Sequence, residues 1–280
     1  MHRTLLTGVL AAVLTAPLPL AASAAADTSA AGTSAAGPEA TGPEATGPGT
    51  ADHAYYADAE GKTGESLKTA LHEIISTDVT RLSYSEVWDA LRNTDQAPSD
   101  TGSVVLLYTG ETRGADQNGG NVGDWNREHV WPQSHGDFGT SAGPGTDIHH
   151  LRPTDVQVNS LRGNKDFDDG GSPVSQAPGN LTDADSWEAR DEDKGDIARM
   201  IFYMAVRYEG DDGFADLELD NDTDNGGTPY MGRLDTLLAW HAEDPPSAFE
   251  ERRNEIIFED YQGNRNPFID HPEWAEDIWG

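Results

Sequence analysis

Asn126-Arg127-Glu128-His129-Val130-Trp131-Pro132, and further on Asp147-Ile148-His149-His150-Leu151-Arg152-Pro153-Thr154-Asp155-Val156-Gln157-Val158-Asn159-Ser160-Leu161-Arg162-Gly163-Asn164, is the stretch on which the reading of this chain turns. Val130, Trp131 and Pro132 follow a Glu-His pair that would leave a strand, and Ile148 and Leu151 bracket a His pair on a second extended piece. Thr154 can cap a helix that begins after Pro153 and puts Val158 and Leu161 on one face. Asn159 lies on that helix, with Asp155 four residues before it and Arg162 three after. Two strands and a helix would then converge Glu128, His129 and Asn159 on one point. Carboxylate and amide oxygens suit a hard ion such as Mg²⁺, which keeps several waters. An adjacent imidazole with a pKa of about 6.5 can take a proton from water at neutral pH.

The surroundings make this segment an exception. The chain has 280 residues, 18 Lys+Arg, 50 Asp+Glu and a formal net charge of −32. Between Asn126 and Lys165, four acids (Glu128, Asp137, Asp147, Asp155) meet four bases (Arg127, Arg152, Arg162, Lys165), for zero net charge. The same stretch holds His129, His135, His149 and His150. The overall acidity argues against a basic face of the kind that grips nucleic acid by counterion release. The neutral segment, before any metal adds its own charge, removes that objection locally. With 4 Lys to 14 Arg, the remaining surface reads as adapted to saline surroundings. The absence of cysteine excludes a disulfide framework, a Cys-ligated zinc finger and a thiol nucleophile.

Outward from the centre, residues 1–26 read as a secretory signal: Met1-His2-Arg3, an apolar run from Leu5 to Leu20, then Ala-Ser-Ala and Ala-Ala-Ala. Residues 27–52 repeat TSAAG and GPEAT, Ala/Gly/Pro/Thr text that cannot offset its ordering entropy, and read as a linker. A globular domain is expected over 53–280. Leu67, Leu71, Ile74 and Ile75 carry helical spacing over 66–76; a second helix follows a Ser85 cap; Val104 to Tyr108 is a strand; Gly110 to Gly123 is a loop. Asp196 to Tyr208, Leu234 to His241 and Ala248 to Phe258 read as helices. Helices outnumbering strands gives an α+β class.

Four ordered strings resemble the endonuclease I family of secreted bacterial nucleases, which use the ββα-metal, or His-Me finger, site. They are 126–132, 147–167, Lys194-Gly195-Asp196-Ile197-Ala198-Arg199 with Phe202-Tyr203-Met204, and 261–272. The resemblance implies an α+β fold with a ββα-metal core in a mostly helical single domain. It implies a secreted, magnesium-dependent endonuclease (Mn²⁺ or Ca²⁺ as substitutes) of little sequence preference, cutting DNA, RNA or both to 5′-phosphate products. His129 would be the general base, and Glu128 and Asn159 the metal ligands. A monomer is expected, with no membrane or protein partner. From Trp131 to His150 there is no Arg or Lys to hold the scissile phosphate. Arg162, one helical turn beyond Asn159, is the expected clamp, with Arg127, His149, His150, Arg152 and Asn164 as further phosphate-binding or supporting candidates.

Two rival functions stand beside this. One is a nucleic-acid-binding protein that has lost catalysis, against which the intact Glu128, His129 and Asn159 speak. The other is an acidic protein binding calcium through 211–224. Within that stretch Asp220-Asn221-Asp222-Thr223-Asp224 opens like a calcium loop, but it has Gly226 at the seventh place and Met231 at the twelfth, where an EF-hand needs Glu. Gly263-Asn264-Arg265-Asn266-Pro267 reads first as a structural turn pinning the C-terminal helices.

Overall fold

The structure, a computed structural model, describes residues 54–280. The expected signal (1–26) and linker (27–52) lie outside the described residues. In chain order the elements are helix α1 (Gly64–Ser76), helix α2 (Val87–Thr94), and strands β1 (Gln96–Ala97), β2 (Asp100–Val105), β3 (Thr112–Gly114) and β4 (Trp125–His129). Strand β5 (Leu151–Asp155) leads into helix α3 (Val156–Arg162) and then β6 (Asp166–Phe167), β7 (Ser172–Pro173), β8 (Leu181–Thr182) and β9 (Ser186–Glu188). Helix α4 (Asp191–Arg207) is followed by β10 (Glu218–Leu219), β11 (Tyr230–Met231), α5 (Leu234–Glu243), α6 (Ala248–Ile256), α7 (Pro267–Asp270) and α8 (Glu273–Trp279).

The class is mixed α+β. Strands outnumber helices among the described residues, contrary to the sequence expectation, because most strands are only two or three residues long and too short to show alternation. Pairing gives a three-stranded sheet β1-β2-β3, a four-stranded sheet β6-β9-β8-β7, and the two-stranded pairs β4-β5 and β10-β11. The apolar run at 104–108 is strand only to Val105, and the loop expected over 110–123 contributes β3, which pairs with β2.

Helix α4 is the axle. It is buried at every position from Gly195 to Arg207, which is why its sequence is largely apolar on all sides beyond the first turn, with Asp196, Arg199 and Arg207 held in ion pairs. Asp191, Glu192 and Asp193 sit at its N-terminus, where the helix dipole favours anions. It packs against α1 and α5, and α1 packs in turn against α8. At Gly195 an added Cβ would lie 1.9 Å from the Asp244 carbonyl oxygen, so only glycine permits this approach. Two apolar clusters result. The larger surrounds α4 and includes Val130, Trp131 and Val158; the smaller holds Trp125, Ile148, Leu151, Val87, Leu91 and Val104. The β4-β5 pair is thus anchored in both.

Buried charge is paired, as it must be to avoid a large desolvation cost. Arg152 binds Asp95 and Asp196, Arg253 binds Asp95, and Arg199 binds Glu250 at 2.6 Å. Glu250 also closes a capping box with Ser247 at the start of α6. The 263–267 turn is structural, tying α1 and α4: Asn264 Nδ2 donates to the Ile75 carbonyl at 2.9 Å, and Asn266 Nδ2 to the Arg199 carbonyl at 3.0 Å. Among the described residues no helix is long and apolar enough to cross a membrane.

Candidate active site

Strands β4 and β5 run antiparallel with Glu128 opposite Arg152 and His129 opposite Leu151. Helix α3 begins as β5 ends. Its N-cap is Asp155, whose carboxylate accepts from the Gln157 and Val158 amides; Thr154, expected as the cap, is still in the strand. Side chains alternate along a strand, so Asn126 and Glu128 share one face of β4. The helix lies across that face. Asn159 Nδ2 donates to Asn126 Oδ1 at 2.9 Å, and one turn on Arg162 Nη1 stands 3.4 Å from Glu128 Oε1.

Arg162 is fully buried, and its guanidinium is committed. Nη1 donates to the His129 carbonyl at 3.1 Å and Nη2 to the Val130 carbonyl at 2.7 Å, where β4 has run out of strand partners. The group therefore ties the Glu128 carboxylate to the backbone of His129, with Nε enclosed and without a partner among the described residues. Leu161, expected to face inward with Val158, is 41% exposed instead.

Glu128 is buried. Tyr108 Oη donates to Oε1 at 2.8 Å, while Oε2 has no donor among the described residues. Burial pushes the carboxyl up to about 7, against the opposing pull of Arg162 and Tyr108. Tyr108 sits at φ +70°, a left-handed conformation rare for an aromatic residue. Its amide donates to Asp193 Oδ2 at 2.8 Å and its carbonyl accepts from Asn180 Nδ2 at 2.7 Å, and this pair of contacts holds the strained turn. The Oδ1 of Asn159 likewise has no donor among the described residues. A carboxylate oxygen and an amide oxygen on one face, both without donors, fit a hard divalent cation.

His129 closes β4 with its ring on the other side of the strand, beside Tyr84, Phe138 and His150. Its Nε2 lies 3.0 Å from the Gly145 carbonyl, an acceptor only, so Nε2 carries the proton and Nδ1 the lone pair. The Gln133 amide nitrogen stands 3.2 Å from Nδ1 and 3.1 Å from Nε2, against the ring edge between them. Burial, then the neighbouring His150, pushes the imidazole down to about 3, so it is neutral at neutral pH. Gly145 belongs to the Pro144–Thr146 turn, and a Cβ there would lie 2.3 Å from the Gly139 carbonyl oxygen. His150 anchors to the same turn through Nε2 and the Pro144 carbonyl at 2.7 Å.

Residues 63–273 match the endonuclease I family. The chain belongs to that family. It is a nuclease enzyme, acting on phosphodiester bonds. It is 67% identical over 225 residues to the extracellular ribonuclease of Bacillus amyloliquefaciens, covering 80% of this chain and 78% of that one. The extracellular ribonuclease of Bacillus subtilis (strain 168) matches with the same identity and coverage.

In the nuclease the other predicted residues separate into two groups. His149 and His150 are buried in a turn before β5, not on the strand, and burial pushes each imidazole down to about 4. Arg152 is buried in its carboxylate pair. Asn164 is exposed beyond α3, and Arg127 is partly buried on the His129 face. The histidines do not gather as a zinc set: His135 bonds the Tyr230 carbonyl at 2.8 Å and His149 the Asn264 carbonyl at 3.1 Å. Among the described residues Glu209, Asp216 and Glu218 are the carboxylates that cluster, and the Lys68 ammonium is seated there, 2.7 Å from Glu209 and 2.9 Å from Glu218. Sequence reasoning missed Tyr108, Gln133, Gly145 and Asn126. Tyr108 ends an apolar run before Thr-Gly, which signals a turn but not its partner.

Proposed function

We propose that this nuclease is a secreted, divalent-metal-dependent endonuclease with a ββα-metal core, using His129 as general base and Glu128 and Asn159 to hold one Mg²⁺. The observation that carries the reading is the tautomer of His129. With Nε2–H spent on the Gly145 carbonyl, Nδ1 is left as a fixed, neutral proton acceptor at the end of β4. The succession β4, β5, α3 with Asn159 on the helix agrees with that core. A divalent ion held by Glu128 and Asn159 supplies Lewis-acid neutralisation of charge at phosphorus and at the leaving oxygen. Arg162 and Tyr108 orient Glu128.

Cleavage that leaves a 5′-phosphate and a 3′-hydroxyl follows from water attack with O3′ as leaving group. RNA is a substrate, supported by the names of both relatives, and DNA belongs to the same expectation. The word extracellular in those names supports reading residues 1–26 as a signal and 53–280 as the working domain. His129→Ala is expected to lower the cleavage rate of RNA and plasmid DNA in Mg²⁺ by about 10²–10⁴-fold, the range of a general base. A variant within tenfold of wild type, with an unchanged melt, refutes the assignment.

A further inference from the structure

With Arg162 committed to carbonyls, Arg152 locked between carboxylates, and His149 and His150 fully buried, the substrate phosphate still needs a cation. Most bases of this chain are consumed. Among the described residues, Lys62, Arg127, Lys165 and Arg252 have no carboxylate within ion-pair distance. Arg252 spends its guanidinium on the Asn93 and Thr94 carbonyls, and Lys165 on Thr182 and the Leu161 carbonyl. Lys62 is exposed in the turn before α1. Arg127 alone of the four lies on β4, two residues before His129 and on the same face.

Its mounting is specific. The guanidinium carbon lies 3.3 Å from the Tyr84 ring centroid and 3.9 Å from that of Trp88, so the plane is held between two aromatic rings. Nη1 donates to the Tyr84 carbonyl, Nε is enclosed without a partner, and Nη2 has no partner among the described residues. The Tyr84 ring also stacks on His129, centroids 6.0 Å apart, which links the guanidinium mechanically to the imidazole. A protein of net charge −32 that keeps one rigid arginine clear of every carboxylate, beside the imidazole, has an anion to hold there.

We infer that Arg127, braced between Tyr84 and Trp88, contacts a backbone phosphate of the bound nucleic acid strand and supplies the grip that the 131–150 segment lacks. The inference rests on the nuclease reading of the His129 site. Arg127 is a substrate-binding residue, acting mainly on KM.

The test uses the full chain, a single-stranded RNA oligonucleotide, saturating Mg²⁺ and a NaCl series. Arg127→Gln keeps a planar amide between the rings and removes the charge; Arg127→Lys keeps the charge; Lys62→Ala is the charge control. Arg127→Gln is expected to raise KM roughly ten- to a hundredfold, the range of a lost charge-assisted hydrogen bond at about 1.4 kcal/mol per tenfold, with kcat changed less than threefold or so. Its plot of log KM against log salt should be shallower by about 0.7, one phosphate contact on a single strand. Arg127→Lys should recover that slope. If Arg127→Gln keeps the wild-type KM and slope, or if Lys62→Ala shifts both equally, Arg127 does not touch phosphate. Failure of the nuclease reading would register separately, as wild-type protein that does not cleave or a His129→Ala variant that does.

Discussion

Acidification should weaken the fold through His150 in a way that can be isolated. Its ring is fully buried and uses both nitrogens: Nε2–H donates to the Pro144 carbonyl at 2.7 Å, and Nδ1 accepts from the Trp131 amide at 3.3 Å. A second proton on Nδ1 would face that amide N–H, so the folded state resists it. Burial pushes the imidazole down to about 4 from 6.5, with Asp147 partly offsetting the effect. The unfolded chain takes up this proton near pH 6.5 and the folded chain only near pH 4. Stability is therefore full above about pH 6.5 and is lost as pH falls from there to about 4. At 1.36 kcal/mol per pH unit the whole loss is about 3 kcal/mol. His150→Asn offers Oδ1 in place of Nδ1 and cannot charge. Urea unfolding of both proteins at pH 8, 6.5, 5.5 and 4.5 gives the comparison. Wild type should lose about 2–3 kcal/mol relative to the variant over that series, whatever the variant costs at pH 8. Parallel stability curves would refute the reasoning, because they would mean that His150 protonates in place. Because His150 and His129 hang from the same Pro144–Thr146 turn, activity should fall over the same range.

Two further perturbations address the other face of β4. Glu128→Ala should raise the Mg²⁺ concentration for half-maximal activity more than Asn159→Ala does, since only the first removes a charge; equal shifts would mean that the ligand roles are wrongly divided. Tyr108→Phe leaves Glu128 Oε1 to Arg162 alone and should cost about 1.5–3 kcal/mol in a urea melt, the worth of a hydrogen bond to a charged group, along with weaker Mg²⁺ response. An unchanged melt and an unchanged Mg²⁺ titration would show that Glu128 does not depend on Tyr108.

The Glu-His pair and the downstream helix with Asn159 were legible in the sequence because they are local: a strand end and a helical offset. Arg162 was legible as a position but not as a role. Spacing puts Leu161 and Arg162 on neighbouring faces of α3 and favours burying the leucine. The tertiary structure reverses this, because the ends of β4 expose carbonyls that a guanidinium satisfies and an isobutyl group does not. Tyr108, Gly145 and Gln133 were not legible, since each acts through a partner fixed by the course of a loop. Trp88 falls in the short helix expected after Ser85, and nothing in α2 alone indicates that Arg127 comes to lie on its ring. The two-residue strands left no pattern to find.

The strained turn at Tyr108 has a consequence for when this protein becomes an enzyme. Its amide and carbonyl are held by Asp193 and Asn180, separated in sequence by 85 and 72 residues. Synthesis delivers Glu128, His129 and Asn159 before either of those anchors exists. Closing such long loops is entropically costly and falls to the docking of α4, the most deeply buried helix. A chain still emerging thus carries Glu128, His129 and Asn159 without the two anchors that fix the Tyr108 turn against Glu128. For a nuclease, late assembly of this contact is a form of protection that needs no inhibitor.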